Sequence, residues 1–273
     1  MDAAMIVKRI RALSGVTRKE LAELADLAPS TIGRIERGTL DPTWGTLSRI
    51  LEATGYRING DTVVSAGDPT AIAAARRVLE SLFVPASAGT VDVLVPAMEL
   101  LKKAADTVVD LWLRRWARAG WLSERTDVDH LVSMAVAAGN AGKITRRKVA
   151  RRNVTAPDGW RALARRMEEE GIAYAVSGLV AARPDRSTAI SASPVIYVED
   201  PSQAVAKLCL DETAPTRGVL LIAPASDELT RLEIDGGIRF VSRAQGVLDA
   251  FAGSGREPDK AEDVLRSLLT VAA

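Results

Sequence analysis

The chain holds one cysteine, Cys209, and one histidine, His130, among 273 residues. A lone cysteine closes no internal disulfide and fits a reducing compartment, where it reads as a small buried hydrophobe on a helix rather than a nucleophile. One Cys and one His also fall short of a zinc set, and of a Cys-His or Ser-His pair with any redundancy. No metal and no cofactor is therefore expected. No run of eighteen apolar residues occurs, so no membrane span is expected. The opening MDAAMIVKRIRA lacks the apolar core and cleavage pattern of a signal peptide, and a cytoplasmic location is the expectation.

What is present is ordinary globular composition, 47% hydrophobic and 26% charged, in a length that suggests two domains, or three. A net charge of +1 conceals segregation. Lys plus Arg against Asp plus Glu run nine to seven over 1–60, two to five over 61–99, fifteen to nine over 100–170 and ten to fourteen over 171–273, giving +2, −3, +6 and −4. Such a split suggests one part that faces nucleic acid and another that faces something else.

The most informative stretch is Thr17 to Gly38, TRKELAELADLAPSTIGRIERG. A helix is expected from Thr17 to Ala25, with Thr17 as N-cap and Glu20 completing a capping box. A second opens at Pro29, whose fixed φ and missing donor suit a first helical position, and ends at Gly38. Ile32 and Ile35 lie three apart on a face that packs against the first helix. Ser30, Gly33, Arg34 and Arg37 fall on the opposite face, which is polar and basic. A helix pair with one apolar and one basic face is how a helix-turn-helix enters a major groove. The bland alternative is a small bundle with a solvated basic face.

Residues 5–56 resemble the Xre/Cro-type helix-turn-helix family. The resemblance rests on Arg11, Leu13, Glu20-Leu21-Ala22, Leu27, Ile32, Arg34-Ile35-Glu36-Arg37-Gly38, Pro42, Leu47 and Gly55. It implies a partly buried Arg11–Glu36 ion pair bracing the helices. It also implies a fourth helix, Thr43 to Thr54, closing the core with Leu47, Ile50 and Leu51. Two positions depart from the family pattern. Asp26 stands where the corner usually carries glycine, although Asp tolerates the left-handed region. Arg18 replaces a frequent Gln, which favours a phosphate contact. The expected DNA-contacting set is Thr17, Arg18, Ser30, Thr31, Arg34 and Arg37. Arg18 and Arg37 hold phosphates, while Ser30, Thr31 and Arg34 present to base edges, Arg34 being suited to a guanine.

Beyond the head, 55–69 reads as a connection with a short strand at 62–65, and 70–83 as a helix. Residues 85–90 break it. A longer helical region starts at Val91 and carries Leu100, Ala104, Val108 and Leu111 along one side. Trp112, Trp116 and Trp121 fit core or interdomain packing better than a platform for stacked bases. Asp127 and Asp129 have metal-pair spacing, but no Gly-Ser turn precedes them, and a helix N-terminus attracts acids anyway. Lys143, Arg146, Arg147, Lys148, Arg151 and Arg152 form a basic run. It reads as a helix capped by Thr145, either a patch for phosphates or an acidic protein, or a solvated face.

Residues 160–170 read as an amphipathic helix with Trp160, Leu163 and Met167 inward. The pattern then turns to short β-type runs at 172–176, 195–198 and 219–223, and a hairpin over 229–241 with Asp235-Gly236 as its turn. Helices follow from Ser242 to Phe251 and from Asp259 to Val271. This half is similar to the C-terminal domain of AbiEi-type antitoxin regulators, over roughly 140–270. The matching residues are Trp160, Tyr174 to Ala182, Val195 to Val198, Val219 to Pro224, and Phe240-Val241-Ser242 through Leu248-Asp249. That family pairs a DNA-binding head with an α+β domain and is encoded beside a nucleotidyltransferase toxin. The head here is Xre/Cro-type, where a winged helix is common.

The expected architecture is α+β: a helix-turn-helix domain over 1–60, a helical connecting region over 61–140 and an AbiEi-like α+β domain over 141–273. The function expected is a sequence-specific repressor that binds a double-stranded DNA operator as a homodimer. The resemblance makes it the autoregulating antitoxin of a nucleotidyltransferase toxin. A stand-alone ligand-sensing regulator is the alternative, although no Gly-rich phosphate loop or convergent polar cluster supports it. An enzyme would need an organised carboxylate set, and Asp185, Glu199 and Asp200 show no repeated spacing.

Overall fold

The computed structural model describes residues 2–83, 108–183, 194–215 and 217–272. The expected helix from Val91 with Leu100 and Ala104, the break at 85–90, and Asp185 lie outside the described residues. Two compact units emerge, one of residues 1–147, 251–253 and 265–273, the other of 148–250 and 254–264. The stretches 1–60 and 61–140 thus belong to one unit, while 141–273 is shared between the two.

In the first unit, Asp2 caps α1 (Ala3–Ser14) by accepting from the Ala4 N–H at 3.0 Å. Next come α2 (Arg18–Leu24), α3 (Pro29–Glu36) and α4 (Trp44–Ala53), the last capped by the Thr43 hydroxyl. Val7 and Ile10, Leu21 and Leu24, Ile32 and Ile35, and Leu47, Ile50 and Leu51 are all buried. Each repeats at three- or four-residue spacing, so each helix turns one stripe inward.

A hairpin of β1 (Tyr56–Asn59) and β2 (Thr62–Ser65) follows, in the register Asn59↔Thr62. Only its second strand is legible in the sequence, because YRIN between Gly55 and Gly60 has the composition of a connection. The unit continues with α5 (Pro69–Phe83), α6 (Val108–Arg118) and α7 (Val128–Ala141). Helix α5 packs against both α6 and α7, and α6 also meets α2. Trp112, Trp116 and Trp121 are at most 2% exposed, so they serve packing and offer no face to a base. Gly55 lies against α7 at a φ of +73°, where a Cβ would come within 2.2 Å of the Ala141 Cβ, so a side chain there has no room.

The carboxylates with metal-pair spacing have structural duties. Asp127 caps α7 by accepting from the His130 N–H at 2.9 Å, and Asp129 pairs with Arg266 at 2.7 Å.

The second unit contains β3 (Arg151–Val154), α8 (Gly159–Glu169), β4 (Tyr174–Ser177), α9 (Leu179–Ala182), β5 (Val195–Val198), α10 (Pro201–Lys207), β6 (Val219–Ile222), β7 (Glu233–Asp235) and β8 (Ile238–Phe240). Helices α11 (Arg243–Phe251) and α12 (Glu257–Ala272) complete the chain. The sheet is mixed, in the order β3-β6-β5-β4-β8-β7. Pairs β6–β5 and β4–β8 are parallel and the others antiparallel. Every residue of β4 is buried, as expected of a central strand covered on both faces. Helix α8 covers part of the sheet, with Trp160 edge-on to Phe240 at 6.2 Å.

At two places the chain departs from the sequence expectation. The β7–β8 turn is Gly236-Gly237, because Asp235 pairs with Ile238. The basic run is no helix: a 3-10 turn at Ile144–Arg146 is followed by β3. Pairing with β6 outweighs the helical spacing of its arginines.

Candidate nucleic-acid interface

Helix α2 begins with a complete capping box. Thr17 accepts from the Glu20 N–H at 3.2 Å, and Glu20 accepts from the Thr17 N–H at 2.7 Å. Burial alone would raise the Glu20 carboxyl; hydrogen bonds from Thr17 and Trp121 outweigh it and hold it below its ordinary value. At the end of α2, Leu27 N–H donates to Ala22 O at 2.8 Å and Asp26 N–H to Glu23 O at 3.2 Å. This is the Schellman pattern, with Asp26 in the left-handed position at φ +55°. The chain turns there and enters α3 through Pro29.

Helix α3 separates its residues cleanly. Ile32, Gly33, Ile35 and Glu36 are buried, while Ser30, Arg34 and Arg37 are exposed and Thr31 is half-buried. Gly33 is the one departure from the expected pattern, since it does not share the open face. The Arg37 side chain folds over it, and a Cβ there would meet Nη1 at 3.3 Å. Arg34 has no ion-pair partner among the described residues. A second Schellman motif ends the helix: Thr39 N–H reaches Arg34 O at 3.0 Å and Gly38 N–H reaches Ile35 O at 2.9 Å. Helix α3 is therefore fixed at both ends, with a short basic face left open between them.

Beneath this face lies Glu36, 1% exposed. Arg11 Nε donates to its Oε1 at 2.6 Å, and Arg18 Nε donates to its Oε2. Desolvation would raise the Glu36 carboxyl, but the two guanidinium groups overcome it and hold it below the ordinary carboxylate range. Arg18, expected from the sequence to hold a phosphate, also has a structural bond. Its Nε is committed to Glu36 while the side chain stays about half exposed. No spacing rule links positions eighteen apart, so this bond was not legible. Thr17 is exposed, with its hydroxyl engaged as the α2 cap.

The residues of the run from Lys143 to Arg152 differ in burial and in partners. Arg147 is 3% exposed and donates from Nε to Gly142 O at 3.0 Å. Arg152 lies near Glu212 at 3.4 Å. Arg146, Lys148 and Arg151 are exposed and Lys143 half-buried. Lys143 to Arg147 belong to the first unit and Lys148 to Arg152 to the second.

Among the described residues no helix is long and apolar enough to cross a membrane. Residues 7–60 match the helix-turn-helix family, which covers the capping box, the corner and α3. No curated protein and no solved structure matches the chain.

Proposed function

From the premise that residues 7–60 are the helix-turn-helix domain of a DNA-binding transcription regulator, we propose that the chain is a sequence-specific repressor and the autoregulating antitoxin of a nucleotidyltransferase toxin. The observation that carries the DNA-binding part is the division of α3, with isoleucines buried beneath an open face of Ser30, Arg34 and Arg37. Arg34 offers two parallel donors to the O6 and N7 of a guanine. Arg37, at the helix end, suits a backbone phosphate, which sets register rather than sequence.

One head makes few base contacts, so the chain acts as a homodimer on half-sites about 34–36 Å apart. The antitoxin role is supported by the AbiEi-like pattern of Tyr174 to Ala182, Val195 to Val198 and Phe240 to Asp249. In this reading the α+β unit supplies dimerisation, toxin neutralisation or both, and the chain has no catalytic step of its own.

The test is competition binding to the DNA upstream of the chain's own coding sequence against unrelated duplex. Arg34→Ala should lose about 1–3 kcal/mol of discrimination while the fold stays intact. Unchanged discrimination would remove Arg34 from base readout. The antitoxin role is tested by co-expression with a nucleotidyltransferase encoded alongside. Rescue of growth supports it, and unrelieved toxicity sinks it.

A further inference from the structure

Helices α2 and α4 of the head share a deficiency: neither carries a Lys, Arg or His in its last turn. The final carbonyls of a helix lack intrahelical donors and form the negative end of its dipole. Both helices receive the missing cation from far along the chain. Arg118 of α6 donates from Nε to Glu23 O at 3.2 Å and from Nη2 to Leu24 O at 3.3 Å. Arg115, three residues earlier on the same helix, donates from Nη1 to Glu52 O at 3.1 Å. Trp121 secures the other end of α2, its Nε1–H reaching Glu20 Oε1 at 3.1 Å while Oε2 holds the Thr17 N–H.

We propose that Arg118 and Trp121 are positioning residues for DNA recognition, fixing the corner from which α3 is presented. This rests on the reading of the head as DNA-binding. Arg118 grips the two carbonyls just before Ala25 and Asp26, and Asp26 sits in a left-handed conformation that L-residues adopt only at a cost. Leu21, Ala22 and Leu24 are buried and hold α2 by apolar packing, while the guanidinium bonds to backbone carbonyls. Its loss therefore loosens the corner before it unfolds the helix pair. The region after residue 60 is thus a splint for the recognition helix.

The experiment uses the full chain, and its probe is a site that the wild-type protein selects from a random-sequence duplex library. Arg118→Ala should bind that site on the order of tenfold more weakly, as loss of two charge-assisted hydrogen bonds warrants. Binding to unrelated duplex, and its salt dependence, should stay unchanged because the phosphate contacts remain. Arg118→Lys, which restores a cation, should recover part of the loss. Adding Asp26→Gly to Arg118→Ala should do so by a different route, since glycine occupies the left-handed region freely. Trp121→Phe should shift selectivity in the same direction.

The corner is also read without DNA, by hydrogen exchange at the Asp26 and Leu27 amides. Arg118→Ala should speed both while leaving the Ile35 amide protected. A corner that does not respond, or a variant with wild-type selectivity, overturns the positioning role alone. A wild-type chain that selects no sequence, although its corner responds, overturns the DNA reading and this role with it.

Discussion

Glu36 puts a carboxylate in a sealed position on α3 and shares it between Arg11 and Arg18. Its carboxyl, like that of Glu20, titrates below its ordinary value in the folded chain. A depressed carboxyl contributes stability above its unfolded value, about 4.3, and loses it as the pH falls through the folded value. The melting temperature of the chain should therefore drop on acidification below about pH 4. Glu36→Gln should lower it at neutral pH and flatten that acid limb, with Glu20 leaving a residual slope. A variant as steep as the wild type would mean that Glu36 is not the group being protonated. At Asp26 the expected change has the opposite sign. Replacing it with glycine removes left-handed strain and should stabilise the chain by about 0.5–1 kcal/mol in denaturant titration. The corner was legible because Asp26 stands where the family pattern has glycine. The second guanidinium on Glu36 was not, because nothing in a sequence says which of several arginines reaches a buried acid.

At the scale of elements, α3 could be read in advance because one physical signal governs it. Isoleucines at three-residue spacing must be buried, which turns Ser30, Arg34 and Arg37 outward. Residues 143–152 defeated the same logic. Arginines four apart fit a helix equally well, but strand pairing with β6 decides, and Arg147 is buried. Neutralising Arg147 should accordingly destabilise the fold rather than alter salt dependence. In the second unit, Asp249 accepts from the Ser177 and Tyr197 hydroxyls and the Gln245 amide at 2.6, 2.9 and 2.9 Å, all buried. This cluster is invisible in sequence, since its members come from β4, β5 and α11. Asp249→Ala removes the shared acceptor of three buried donors and should cost about 3 kcal/mol, measured by the denaturant midpoint at constant slope.

Over the whole molecule, composition and periodicity were enough to announce an α+β chain with a basic-faced helix pair near its start. They did not reveal that 61–147 joins the head in one unit, because the joining bonds run from Arg115, Arg118 and Trp121 to backbone carbonyls and a capping carboxylate. Such bonds leave no spacing signature. The phosphate contribution also belongs to this scale. If Arg37 holds one phosphate, Arg37→Ala should weaken binding to all sequences alike and reduce the salt slope by about one per head.

The most direct measurement is parallel selection of sites from a random-sequence duplex library by the wild-type chain and by Arg34→Ala. The account requires the wild type to converge on a half-site containing a guanine, repeated about 10–10.5 base pairs away or a multiple of that. The variant should lose preference at that base pair and keep the rest. Identical preferences from both proteins, or none from either, would contradict it.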